Sequence, residues 1–295
     1  MGKITGIANS DSPQGKETFE IMKKIYDGLW LTDGSADRLL ENHKFWEEFK
    51  ALAKKRSCGE QYADEFVKTE KRYPEEYKVK DIKEQIDVIA GVFQLNPTNA
   101  KSFIKKLPEY PPIERAEGWF ALAKSESVVK NSSLNPSQVQ YEAIKIILQI
   151  LNICDNCRGH TLPEGNFKQS KKTLRFLSKI KEEQEGDIII IPAQHGLKHQ
   201  GKSNARTRET LLENEFGLGG FHVGCMRITH PERHKKGCLN TDCPGDRISY
   251  FKNTSFTEAL SWGFSLNEEI ICNIFKDIAD EYSGPVTGFY FPTPC

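Results

Sequence analysis

The stretch of the chain that says most about the fold spans residues 187–209 and has the sequence DIIIIPAQHGLKHQGKSNARTRE. Its run of isoleucines, bounded by an aspartate and a proline, predicts a short buried β-strand, because β-branched residues favour strands. Glycine, histidine, lysine, serine and arginine follow at once, and such residues often form ligand sites on loops held by a rigid scaffold. We therefore expect the functional site within residues 194–246.

Residues 136–295 are predicted to form a mixed β-sheet with flanking helices. Short apolar runs predict strands, and apolar residues at spacings of three and four predict amphipathic helices. The predicted strands are residues 188–191, 221–228, 248–251 and 286–291, and the predicted helices are residues 139–153, 171–183 and 266–282. Strands interleaved with helices indicate an α+β domain, which we expect to carry the candidate site.

Residues 1–135 have the pattern of a mainly helical region. Apolar side chains recur every three or four residues at 17–30 and at 79–93. A polar stretch at residues 124–137, rich in serine, is interpreted as the connection to the α+β domain. The predicted fold class is therefore α+β, with a helical N-terminal part followed by a mixed β-sheet with flanking helices.

Composition limits the partners and the compartment. The 295 residues include 41 basic and 41 acidic side chains, so no overall charge attracts the chain to nucleic acid or to an anionic membrane. No stretch approaches the roughly 20 apolar residues of a membrane helix, and residues 1–6 lack the apolar core of a secretory signal. The eight cysteines are interpreted as reduced thiols, and we expect a cytoplasmic protein without a membrane partner.

The basic loop after the isoleucine strand is typical of an anion site. Glycine lets backbone N–H groups approach an anion closely, and arginine adds a planar, two-pronged donor. Residues 196–203, GLKHQGKS, also fit the G-x4-G-K-S frame of a phosphate-binding loop, although the following segment has few apolar positions for a buried helix. A solvated basic loop is the remaining interpretation. The residues predicted to hold a phosphate- or carboxylate-bearing molecule are Gly201, Lys202, Ser203, Arg206 and Arg208.

Four residues in the same region are candidates for catalysis: His199, His230, Glu215 and Cys243. Histidine and glutamate can exchange protons with a bound substrate. Cys243 lies in the sequence DCPGD at residues 242–246 and is a candidate nucleophile, with His195, His199 or His230 as its base. A structural thiol is the alternative for Cys243.

Cysteine spacing suggests a structural zinc ion, the one cofactor that the sequence indicates. Zinc takes four nitrogen or sulfur ligands, often two of them from one short turn. The cysteines with suitable spacing are Cys154, Cys157, Cys238 and Cys243. A ligand set confined to residues 222–238 and a set of buried, metal-free thiols are the alternatives.

Two functional hypotheses result. The first is an enzyme or ligand-binding protein that acts on a phosphate- or carboxylate-bearing small molecule through residues 194–246. The alternative is a non-catalytic, zinc-stabilised module that binds nucleic acid or a protein partner. Its contacts would come from the loop at 198–208 and from the lysines of a segment at 88–106 that resembles a helix-turn-helix. Those lysines are Lys101, Lys105 and Lys106.

Overall fold

The structure is a computed structural model that describes residues 62–131, 133–155, 166–235, 237–249, 260–267, 269–276 and 279–292. For residues 137, 152–155, 166–167, 248–249 and 260–276 it describes the backbone alone. The chain divides into two units, residues 1–58 and residues 59–295, and all described residues belong to the second.

The described part of the chain alternates helices and strands. The helices are α1 (Ile82–Phe93), α2 (Thr98–Phe103), α3 (Ser125–Val128), α4 (Pro136–Asp155), α5 (Lys171–Glu183), α6 (Asn204–Thr210) and α7 (Gly220–Thr229). The strands are β1 (Gly118–Ala123), β2 (Asn166–Gln169), β3 (Ile188–Gln194), β4 (Glu215–Gly217), β5 (Thr241–Ser249), β6 (Leu260–Asn267), β7 (Glu269–Lys276) and β8 (Thr287–Phe289). None of these helices is long and apolar enough to cross a membrane.

The first sheet has the strand order β1-β3-β8-β4, with antiparallel pairs throughout. Every residue of β1 and β3 is buried, because helices α1 and α7 pack against β1. Near β4, the ring of Phe176 on α5 stacks on Phe216 with 5.5 Å between centroids. Burial of these apolar strands supplies the main stabilisation of the unit.

The second sheet, of order β2-β5-β6-β7, is also antiparallel. It approaches the first sheet through glycines, since a Cβ on Gly245 would lie 2.6 Å from the carbonyl oxygen of Gly217. The Gly245 amide donates to the carbonyl of Leu218 at 3.0 Å. An isolated parallel bridge joins Asp242 of β5 to Pro285, just before β8. Backbone contact thus fixes the position of β5 beside β4.

The α+β class is confirmed, and the strongly patterned elements lie where they are predicted. The isoleucine strand is β3, the helix predicted at residues 171–183 is α5, and the helix predicted at 139–153 is part of α4. Ser170 caps α5, its hydroxyl accepting a hydrogen bond from the amide of Thr173 at 3.2 Å. Here local sequence and tertiary packing favour the same structure.

Two elements have the opposite type from the prediction. Residues 221–228, predicted as a strand, lie in helix α7, nearly all of which is buried, so no polar face reveals a helical period. Residues 266–282, predicted as a helix, include the end of β6 and all of β7, which form an antiparallel hairpin. A short apolar run does not by itself distinguish a buried helix from a strand.

Strand β1 changes the predicted division of the chain. It lies in the region expected to be helical, yet it pairs with β3 from Gly118↔Ala193 to Ala123↔Ile188. The boundary predicted at residue 135 would separate these paired strands. Among the described residues, the polar stretch at 124–137 is therefore a connection inside one unit, from β1 through α3 to α4.

Candidate functional site

The loop after β3 folds back over one end of the first sheet. Gly196 has a positive φ of 117°, and a Cβ there would lie 2.6 Å from the carbonyl oxygen of Gly284, so this turn requires glycine. A 3-10 turn follows and brings Lys198 and His199 to the side chain of Glu215, the first residue of β4. They meet because β8 lies between β3 and β4.

Glu215 is fully buried, and its carboxylate accepts four hydrogen bonds. The donors are His199 Nε2 at 2.8 Å, Thr287 Oγ1 at 2.7 Å, Lys198 Nζ at 2.5 Å and the amide of Leu212 at 3.1 Å. Burial opposes ionisation, but the bonds from His199, Lys198 and Thr287 outweigh it and lower the pKa of Glu215 to about 2. Glu215 is therefore a buried carboxylate at neutral pH.

His199 and Lys202 extend this network outward. The ammonium of Lys202 donates to His199 Nδ1 at 3.3 Å and to Thr210 Oγ1 at 3.1 Å. Nδ1 thus acts as an acceptor, and Nε2 carries the proton donated to Glu215. Burial lowers the pKa of His199, although the contact with Glu215 opposes this effect. The lowered pKa favours the neutral ring. We call Lys198, His199, Lys202, Glu215 and Thr287 the Glu215 cluster.

A second polar group, which we call the Tyr73 cluster, consists of Tyr73, Tyr77, Glu117, His195 and Arg233. The Glu117 carboxylate accepts a short hydrogen bond from the Tyr73 hydroxyl and lies 3.5 Å from that of Tyr77. The Tyr77 hydroxyl is 3.3 Å from His195 Nδ1. Arg233 lies with Cζ 4.0 Å from the centroid of the Tyr73 ring, and it donates to the backbone carbonyl of His195 at 2.9 Å.

Burial disfavours the charged forms of the side chains in the Tyr73 cluster. Burial raises the pKa of Tyr73 and that of Glu117, and burial together with the charge of Arg233 lowers the pKa of His195. The Tyr73 hydroxyl also accepts a hydrogen bond from the amide of Leu197 at 2.8 Å. Because Leu197 directly precedes Lys198, this bond anchors the loop that carries the Glu215 cluster.

His230, predicted as catalytic, holds two segments of backbone together. Its Nε2 accepts a hydrogen bond from the amide of Lys80 at 3.0 Å, so its proton resides on Nδ1. Nδ1 lies 3.2 Å from the carbonyl of Met226 and 2.9 Å from the hydroxyl of Thr229. Burial lowers the pKa of His230 to about 4. Both ring nitrogens are used in contacts with Lys80, Met226 and Thr229, none of which belongs to the Glu215 cluster.

The loop predicted to bind an anion does not have the geometry of a phosphate-binding loop. Such a loop points free backbone amides at the phosphate. Here every amide from residue 196 to residue 203 donates to an acceptor of the protein. The amide of Gly201 donates to the carbonyl of Ser283 at 2.8 Å, and its own carbonyl accepts from the amide of Val67 at 2.7 Å. Any anion must therefore be held by side chains.

The remaining predicted anion ligands point in different directions. Ser203 caps α6 by accepting from the amide of Arg206 at 2.9 Å, and its hydroxyl donates to Glu65. Arg208 donates to the carbonyl of Pro244 in β5 at 3.2 Å. Arg206 lies near Lys202 and forms an ion pair of 3.3 Å with Glu209. Of the five predicted ligands, Lys202 contacts His199, and Arg206 lies near Lys202.

Cys243, predicted as a nucleophile, is fully buried in the apolar core. A catalytic thiolate must meet its substrate, and the three histidines proposed as its base form the contacts described above. The side chains of the described residues form no group of three or more His, Cys, Asp or Glu that could hold a metal ion. Cys157 and the side chain of Cys154 lie outside the described residues, so the zinc site stays a prediction.

The segment predicted to contact nucleic acid packs as part of the sheet-bearing unit. Helix α1 lies on β1, and the second helix, α2, has only six residues. Lys101 forms an ion pair of 2.6 Å with Asp87 of α1. These contacts explain the lysine-bearing segment after α1 as a structural connection. Nucleic acid as a partner stays a prediction.

Apart from His195, the members of the Tyr73 cluster were missed by sequence reasoning, and so was Thr287. Tyr73, Tyr77 and Glu117 come from segments without a recognisable motif, and Glu117 is placed near His195 because it directly precedes β1, which pairs with β3. Thr287 reaches Glu215 through the insertion of β8 between β3 and β4, both of which lie far earlier in the chain. The signal in the sequence that could have indicated these residues is the presence of polar residues at the ends of apolar strands.

The chain has no match among protein-family models, curated proteins or solved structures.

Proposed function

We propose that this protein binds a small molecule bearing a carboxylate or phosphate group at the Glu215 cluster. Lys202 and Arg206 would contact the anion, and His199 would exchange a proton with the bound molecule. The observation that carries the proposal is the environment of Lys202. Its ammonium contacts a neutral imidazole and a hydroxyl, and it has no carboxylate within 4 Å among the residues described.

The local charge balance supports an anionic ligand. The Glu215 carboxylate already contacts Lys198 and His199, so its negative charge is shared with these two residues as well as with Lys202. Burial, followed by the charge of Arg206, lowers the pKa of Lys202. A half-buried ammonium beside a guanidinium gains stability when an anion replaces lost hydration.

The orientation of His199 supports proton exchange. A buried carboxylate that accepts the Nε2 proton fixes the tautomer and leaves Nδ1 as the basic nitrogen. Nδ1 faces Lys202, the same side on which the anion would lie. This is the relation between an orienting acid and a histidine base that acid–base catalysis uses. It supports an enzyme as well as a binding protein.

Titration calorimetry with inorganic phosphate and with oxalate, at low ionic strength, tests the proposal. Loss of a charged, partly desolvated contact costs about 1.5 to 3 kcal/mol, so Lys202→Met and Arg206→Ala should each weaken binding roughly tenfold to a hundredfold. Lys105→Met removes the same charge from an exposed position and serves as the matched control. Equal weakening in all three variants, or no binding by the unmodified protein, would contradict the proposal.

A further inference from the structure

We propose that Lys202 forms an imine with the carbonyl group of a small oxo acid bound at the Glu215 cluster. The inference rests on the proposed function and names its substrate class. The carboxylate of the acid would lie against the cationic side chains, and the adjacent carbonyl carbon would face Nζ of Lys202. A carboxylate next to a carbonyl is the smallest ligand that would use both the cationic side chains and the amine of Lys202.

The first support is a route for the proton of Lys202. An amine attacks a carbonyl only through its neutral form, so the ammonium must lose a proton. His199 Nδ1 lies 3.3 Å from Nζ and accepts its hydrogen bond. The Nε2–H of the same ring is held by Glu215 at 2.8 Å, which stabilises the imidazolium formed when Nδ1 takes the proton.

The second support is the electrostatic environment of the amine. Burial lowers the pKa of Lys202, and the charges of Arg206, Lys198 and Arg115 lower it further, against the opposing charge of Glu215. A lysine that is desolvated beside other cations is the usual form of an amine nucleophile in proteins. Lys198 lacks this environment, because its ammonium is bound to the Glu215 carboxylate at 2.5 Å and lies 4.8 Å from the centroid of the Phe289 ring.

The reaction balances without a further reagent. After proton transfer to His199, the lone pair of Nζ forms a bond to the carbonyl carbon, and the oxygen receives the proton from His199 to give a carbinolamine. Loss of the second Nζ proton and of the hydroxyl group as water then forms the C=N bond. The third Nζ proton stays on nitrogen, so the sum is one ammonium and one carbonyl giving one protonated imine and one water, with no change of oxidation state.

Reductive trapping provides the test. The protein is incubated with glyoxylate or pyruvate, reduced with cyanoborohydride, and mapped by peptide mass spectrometry. We expect the reduced adduct at Lys202 in preference to exposed lysines such as Lys105, with the preference increasing as the pH is lowered from about 9 to about 7. Lys202→Arg should abolish the adduct, whereas Lys105→Arg should leave it unchanged.

Phosphate binding separates this inference from the proposed function. Lys202→Arg keeps the positive charge, so it should still bind phosphate while losing the adduct. Equal labelling of Lys202 and Lys105, or an unchanged adduct yield in Lys202→Arg, would overturn the imine even where phosphate binds. Absence of phosphate binding in the unmodified protein would overturn the proposed function instead.

The variant His199→Gln tests the proton route. It should shift the pH profile of trapping to higher pH, and an unchanged profile would contradict the proton route.

Discussion

Glu215 and His199 are joined by a 2.8 Å hydrogen bond between Oε1 and Nε2, although both side chains are almost wholly buried. The carboxylate holds the ring by one nitrogen and leaves the other facing Lys202. This asymmetry makes a buried hydrogen bond between a carboxylate and a neutral ring set the tautomer of that ring. The stability and the chemistry of the site thus depend on the same side chain.

Glu215→Gln should destabilise the protein by about 3 kcal/mol, because it leaves the ammonium of Lys198 buried without its counter-charge. Since the folded pKa of Glu215 lies near 2 and its ordinary value is 4.5, this contribution is complete above about pH 4.5 and is lost as the pH falls toward 2. Urea unfolding at several pH values measures it, with the exposed Glu84→Gln as control. A variant as stable as the parent at neutral pH would contradict the prediction.

Gly201→Ala should destabilise the loop that carries the Glu215 cluster. Gly201 has a φ of 75°, and an added Cβ would lie 1.9 Å from the carbonyl oxygen of Val67. Gly91 in helix α1 is the matched control, since an added Cβ meets nothing within 4 Å. There the same change should stabilise the protein by up to about 1 kcal/mol. Thermal unfolding of both variants checks the contrast, and similar shifts in the two would be inconsistent with it.

The sequence predicts elements with a strong local pattern better than it predicts contacts between them. The isoleucine run of β3 and the capped helix α5 need no information from elsewhere in the chain. His199 and Glu215 were identified as acid–base candidates, but their contact depends on β8, which arrives more than 70 residues later in the chain. Helix α7 was missed because a helix that packs on all sides has no amphipathic period.

A fragment comprising residues 136–295 should fail to fold, whereas residues 59–295 should fold. The shorter fragment lacks β1 and α1, so the buried isoleucines of β3 would lose their partner strand and the helix covering it. Exposing such apolar surface costs about 25 cal/mol per Å². Circular dichroism and the cooperativity of urea unfolding distinguish the two fragments. A cooperative transition in the fragment 136–295 would instead support the boundary predicted at residue 135.

Asp246 should make the protein less stable as the pH rises. Its carboxylate is buried beside the first turn of α7, where it accepts from the amide of Gly220 at 2.6 Å and from Gln169 at 3.4 Å. Burial raises its pKa from 3.8 to about 7, against the opposing effects of Gly220, Gln169 and Arg208. The folded state therefore binds a proton more tightly than the unfolded state does.

The sign of the effect follows from this difference in pKa. The stabilising contribution of the Asp246 proton is complete below about pH 3.8 and is lost as the pH rises through about 7. A shift of this size corresponds to a free energy on the order of 4 kcal/mol. The variant Asp246→Asn tests this effect. Its side chain keeps the shape of aspartate and an acceptor oxygen for the Gly220 amide, but it cannot ionise.

The free energy of unfolding of Asp246→Asn should therefore decline less than that of the parent between about pH 4 and pH 8. Asp87→Asn, at an exposed position on α1, should retain the parental slope. Parallel pH profiles for the parent and Asp246→Asn would mean that Asp246 ionises equally in the folded and unfolded states.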